Sequence, residues 1–392
     1  GYAALSAQNF TSATDSHKLA GGSSAGLSVT TGIRNVLIGS EAGDALTDAD
    51  FNIAVGSKAL GADTQGSASV AIGHSALENQ NFTSATNTFN TAVGHGAGND
   101  ITTGIQNTFV GGLAGDELTD ADYNVALGYA ALTTDTKGSK STAIGTFSLN
   151  TQNFTTATDS FNTAVGYAAG NALTTGTEST FIGGLAGVAQ TTGTRSVLMG
   201  YKAGNAVTTG DSNVAIGWQA LMTEDAHSNN TAVGASALQT QNAGAHAYNT
   251  AVGFEAGKLL TTGTLNTIIG ASAGDAITSG ANNVVIGYQS LSTEDAHGNN
   301  TSVGYQALKV QNAGLNAANT AVGYQAGVAV TTGHSATLLG TLAGGSLTTG
   351  NENTFVGYSS GSSGATTFTG NTGLGFNSFA AGANIGDSNT AI

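Results

Sequence analysis

Short aliphatic triplets recur along the chain, each ending one residue before a glycine and followed by a longer polar stretch rich in glycine and threonine. Val70–Ile72 precedes Gly73, Thr91–Val93 precedes Gly94, and Val214–Ile216 precedes Gly217. Such triplets predict short strands, whereas no i, i+3, i+4, i+7 stripe survives this density of poor helix formers. From Gly1 to Gly375 there are 22 of these marker glycines, most of them 17 residues apart; the step is 21 before Gly22, Gly94 and Gly166, 19 before Gly253 and Gly323, and 18 before Gly375. One such turn cannot bury its apolar face alone, but stacked turns share a continuous core. The expected fold is therefore all-β: a parallel β-solenoid (β-roll or β-helix) of about 22 coils with a 17-residue repeat, running through residues 1–392 as one continuous repeat region. At ~4.8 Å per strand layer it forms a rod roughly 105 Å long.

Side chains alternate faces along a strand. The residue before the marker glycine and the residue two further back therefore share a side, which reads as core; its ladder includes Val93, Val110, Ile144, Val165, Ile182, Ile216, Val252, Ile286 and Val322. The residue between them faces the other way and is also apolar. It is mostly Ala, but Leu37, Phe109, Phe181, Leu198, Ile268, Leu338 and Phe355 stand there at intervals. A strand apolar on both faces is normally covered on both, so these larger residues read as interchain contacts. A second core column lies seven residues after the glycine, as at Leu46, Ile101, Leu118, Leu173, Val207, Leu260, Ile277 and Val330.

Polar columns recur too. Four residues before the glycine stands Asn in most coils, predicting an amide ladder through Asn90, Asn107, Asn162, Asn213, Asn249, Asn266 and Asn319. Three residues after the glycine, Ala or Ser marks a crowded corner, and the position after that runs in a Gly, Leu cycle (Gly98, Gly115, Leu132, Leu149). Insertions such as Gln80–Phe89 and Gln152–Phe161 follow the second Leu and place a bump on one edge about every four coils.

Composition narrows the function. With 9 Lys+Arg against 24 Asp+Glu, a net charge of −15, the chain lacks the cations a nucleic-acid binder needs to displace phosphate counterions. Hydrophobic residues make up 40%, too many for a disordered polyelectrolyte, and they form no run that predicts membrane insertion. There is no cysteine, which excludes disulfides and thiol chemistry. The chain begins without Met or a signal-peptide pattern, and Asn389–Ile392 joined to Gly1–Leu5 recreates the repeat motif. It reads as an excerpt of a longer repetitive chain, the alternative being a subunit that stacks head to tail into an open filament.

The strings Ser69–Gly73 (SVAIG), Asn213–Gly217 (NVAIG) and Asn90–Gly94 (NTAVG), each followed by x-x-Ala/Ser, resemble the head repeats of YadA-like trimeric autotransporter adhesins. Asn319–Gly327 (NTAVGYQAG) is similar to repeats of phage tail fibres and large marine surface proteins. The resemblance covers the whole chain and implies a homotrimeric parallel β-roll used for adhesion at a cell surface or on a virion. Its coils are longer than those of the adhesin heads, and no neck, stalk or anchor accompanies them.

Candidate chemistry is sparse. Asp48 and Asp50, with Asp120 and Asp122, stand in Leu-Thr-Asp-Ala-Asp turns that could offer carboxylates to calcium, although the nonapeptide of calcium β-rolls is absent. His227 and His297 lie in matching Glu-Asp-Ala-His turns and read as solvated turn residues. No catalytic residue, cofactor or metal is assigned. The expectation is a non-enzymatic extracellular fibre presenting many weak contacts to a host-surface glycan or protein, with itself as its main partner. A self-assembling filament or sheath is the competing class. An ice-binding face ranks below both, because adjacent pairs such as Thr102-Thr103 put one Thr on each face of a strand.

Overall fold

The computed structural model describes residues 1–10, 16–244, 246–314, 316–362, 366–379 and 386–392. Among these there is no helix, and hence none long and apolar enough to cross a membrane. The fold is all-β, and the chain divides into two compact units, Gly1–Arg195 and Ser196–Ile392.

In the first unit ten strands form one parallel ladder, beginning with Leu19–Gly21, Val36–Ile38 and Ile53–Val55 and ending with Thr163–Val165 and Thr180–Ile182. Register follows the repeat: Ala92 pairs with Phe109, Phe109 with Ala126, Ala126 with Ala143, Ala143 with Ala164 and Ala164 with Phe181. Each strand is followed by the strand one coil on, which defines a parallel β-solenoid. The insertions of the long coils are built into the stack, since Thr86–Asn87 pairs with Gly66–Ser67 and Thr158–Asp159 with Gly138–Ser139. In the second unit twelve strands, from Val197–Met199 to Thr390–Ala391, form a ladder of the same kind.

The marker glycine is required by close backbone stacking. Gly111 has φ +135°, and a Cβ there would stand 2.4 Å from the carbonyl oxygen of Gly128 in the next coil. Other turn positions hold side chains in the left-handed region, such as Leu60 (φ 54°) and Leu132 (φ 53°). That conformation costs ~1–2 kcal/mol per non-glycine residue, which packing must offset.

Inside and outside are the reverse of the sequence expectation. The expected interchain residues Leu37, Phe109, Phe181, Leu198, Ile268, Leu338 and Phe355 are each 0% exposed, and they form the inward column of the core with the alanines of the other coils. The expected core ladder faces outward. Val93, Val110, Ile144, Val165, Ile182 and Ile286 are half-buried, and Ile216, Val252 and Val322 are exposed. The physical reason is width: the interior of a coil admits only Ala at most rungs, and the larger β-branched residues lie on the open sheet surface. The column seven residues after the glycine, including Leu46, Ile101, Leu118 and Leu173, is fully buried, as is the corner alanine column, for example Ala42, Ala97 and Ala114.

Candidate functional site

The outward face of each strand ladder is the most extended candidate surface. In the first unit it carries Ile38, Ile53, Ile72 and Leu127 as exposed aliphatics, with Tyr129 and Tyr167 one residue after their marker glycines. In the second unit Ile216, Val252, Ile269, Val284, Val322 and Leu374 are exposed in the same way. Beside them runs an aromatic column in which Tyr305 stacks on Tyr288 at 5.6 Å and on Tyr324 at 5.2 Å, and Tyr358 stacks on Phe376 at 5.4 Å. One-coil spacing brings like rings to stacking distance. The aliphatic column, with these aromatic stacks at intervals and Thr on the same strand face in most coils, is a surface rich in apolar side chains, the kind that marks association sites.

The amide ladder lies within the coils. Asn90 Oδ1 accepts from the backbone N–H of Asn107 at 2.9 Å, and Asn107 Oδ1 from that of Asn124 at 2.8 Å. Asn162, Asn213, Asn249, Asn266 and Asn319 likewise accept from Ser179, Asn230, Asn266, Asn283 and Ala336, at 2.7–3.0 Å. Each Nδ2 also donates to the carbonyl 14 residues on, as Asn107 does to Ala121 at 2.8 Å. One side chain thus satisfies a strand donor and a turn acceptor, both of which would otherwise be buried without partners.

The weak calcium candidates do not converge. Asp50 Oδ1 accepts from Ile33 N at 2.7 Å and Asp122 Oδ1 from Ile105 N at 2.8 Å, so these carboxylates tie one coil to its neighbour. Asp48 and Asp120 accept from Thr47 and Thr119 at 3.4 and 3.3 Å.

Sequence reading missed a set of buried acids. In some coils the core position seven after the glycine holds a carboxylate: Asp63 and Asp135 in the first unit, Glu224 and Glu294 in the second, all 0% exposed. Asp63 is saturated, with Oδ1 accepting from Gly66 N and Phe82 N, each at 3.0 Å, and Oδ2 from Gln80 Nε2 at 2.6 Å. Burial pushes its carboxyl above the usual range while these hydrogen bonds pull it back. Glu224 instead meets the ring of His227, with Nδ1 2.6 Å from Oε1, and Glu294 meets His297 at 2.8 Å. The two histidines are therefore not solvated turn residues: their side chains are only 15% and 18% exposed and pack on a buried carboxylate. The missed signal was an acid in a core column.

No protein-family model matches the chain, and no curated protein matches it.

Proposed function

We propose that the chain is a non-enzymatic fibre element whose solenoids associate with copies of themselves through the outward strand face, in the parallel homotrimer that the repeat motifs imply. One observation carries this reading: the outward position before the marker glycine is aliphatic in every strand from Ile38 to Ile182 and from Met199 to Leu374, half-buried or exposed, and it lies outside the buried core. Covering apolar surface is favourable by ~25 cal/mol per Å² at every rung, so a long ladder gathers a large interface from small increments. Parallel association also sets like residues of different chains at the same height, which suits a repeat with one side-chain chemistry per column.

The proposed role, holding weak contacts for a glycan or protein partner along an extracellular fibre, rests on the resemblance and on the multivalency of a repeated surface. The acidic balance of the chain suits solubility outside a nucleic-acid context. A test uses the absence of native cysteine. In a chain carrying Val252→Cys, parallel in-register association brings the thiols of different copies together, and mild oxidation yields interchain disulfides. Val252→Cys chains that stay single, at concentrations where the wild type is multimeric, overturn the reading.

A further inference from the structure

The turns Glu224-Asp225-Ala226-His227 and Glu294-Asp295-Ala296-His297 bring three different donors together. His227 Nδ1 lies 2.6 Å from Glu224 Oε1 and 3.5 Å from Asp225 Oδ1; in the second turn the corresponding distances are 2.8 and 3.8 Å. In each turn the three donor atoms lie within 4.8 Å of one another, and among the described residues no other group of His, Cys, Asp and Glu does so.

These turns replace another solution to the same structural problem. At the matching positions the first unit has Asp63-Thr64-Gln65-Gly66 and Asp135-Thr136-Lys137-Gly138, where two backbone N–H groups and a glutamine amide saturate each carboxylate. In the second unit the long coil is two residues shorter, 19 against 21. Glu224 instead meets the His227 ring, a 3.5 Å contact from Asn230 Nδ2 and the backbone N–H of Asp225, with no glutamine amide. Gln241 stands one coil on in the same column, fully buried, and neither atom of its carboxamide has a partner. Its counterpart Gln311 donates to Glu294 Oε2 at 3.0 Å. Glu224 thus lacks the glutamine donor its counterparts have, while one coil on in the same column a buried amide, with its carbonyl oxygen, is left without a partner.

We propose that each Glu-Asp-Ala-His turn binds one divalent transition-metal ion of the Zn²⁺ type, held by the histidine Nδ1 and the two carboxylates. One imidazole with two carboxylate oxygens is a donor set for Zn²⁺ and its neighbours, with water completing a tetrahedron. Bonds of ~2.0–2.1 Å place tetrahedral donors about 3.3 Å apart, close to the His–Asp separations here. The His–Glu pair, now 2.6 and 2.8 Å apart, opens by roughly 0.5–0.7 Å as its hydrogen bond gives way to two metal bonds. The turn is braced for this. The His227 carbonyl accepts from Asn213 Nδ2 at 2.7 Å, and the Asp225 carbonyl accepts from Thr208 Oγ1 at 2.8 Å, so both ends of the turn are anchored to the preceding coil.

The experiment is titration of the full, chelator-treated chain with Zn²⁺ by calorimetry and with Co²⁺ by visible absorption. The expected result is two ions per chain and the intense d–d bands of four-coordinate Co²⁺. His227→Gln halves the stoichiometry, and adding His297→Gln abolishes it. Asp225→Asn, at an exposed carboxylate whose loss leaves the fold intact, removes a ligand and weakens one site by more than the roughly 10- to 100-fold that loss of an outer-shell partner costs. His334→Gln, outside both turns, leaves two ions bound. Absence of binding, or a stoichiometry that His227→Gln and His297→Gln do not change in chains with wild-type circular dichroism, overturns the proposal.

Discussion

Phe109 occupies the volume that Gly115 leaves open: a Cβ on Gly115 would stand 2.5 Å from Cε1 of the ring, and one on Gly98, a coil earlier, 2.6 Å from Cδ2. The same relation joins Leu37 to Gly26 and Gly43, and Leu338 to Gly327 and Gly344. Where the inward residue is Ala126 or Ala143, the position four after the glycine is Leu132 or Leu149, both fully buried. The Gly and Leu cycle is thus exchange of volume between two columns at nearly constant core density.

Phe109→Ala is expected to cost about 3–5 kcal/mol, the usual loss for a buried Phe. Gly115→Leu alone clashes with the ring and also destabilises. The double variant reproduces the Ala126/Leu132 pairing and recovers more than half of the loss, because Leu132 already shows that leucine fits this turn at φ 53°. Denaturant unfolding of the three variants measures the coupling, and simple additivity contradicts the exchange.

Asn107→Ala leaves the backbone N–H of Asn124 and the carbonyl of Ala121 without their side-chain partner in the core. The expected cost is about 2–4 kcal/mol, from two unsatisfied buried groups. Hydrogen exchange gives a local readout, with the Asn124 amide losing protection before more distant strands do.

Burial, with the Glu117 and Asp100 charges adding to it, pushes the Asp116 carboxyl up to about 6 from an ordinary 3.8. Between those values the folded chain binds more protons than the unfolded chain, so this group adds stability as pH falls from about 7 to about 4. Asp116→Asn is therefore more stable than wild type at pH 7, by on the order of 1 kcal/mol once solvent screening of a half-buried group is allowed for. The difference vanishes below about pH 4. Melting curves across this range check the trend, and a constant offset contradicts it.

Val252→Lys and Val322→Lys introduce charges on the outward strip without touching the core, since both residues are exposed in the single chain. Circular dichroism stays as in the wild type, while association weakens at least 10-fold for the pair because each interface then buries several like charges. Size-exclusion chromatography against concentration reads the shift. Unchanged association with both lysines present places the interface elsewhere.

The coil period, the amide ladder and the Leu46-type core column were legible because each depends on one residue identity recurring at one spacing. Polarity marked orientation only faintly, since the outward Thr108 shares its strand face with the aliphatic Val110, opposite the inward Phe109. Size held the answer: the column that is Ala in most coils is the one with least room, and its exceptions, Phe109 and Phe181, coincide with paired glycines. The buried acids escaped for a related reason, since Glu224 reads as a turn residue unless its place in the Leu46 column is followed coil by coil.

Sedimentation equilibrium of the wild-type chain tests the central claim, that the outward strip is covered by copies of the chain. Three times the 38.4 kDa chain mass is predicted, falling to one in Val252→Lys/Val322→Lys. A wild-type mass of one chain throughout the accessible concentration range contradicts it.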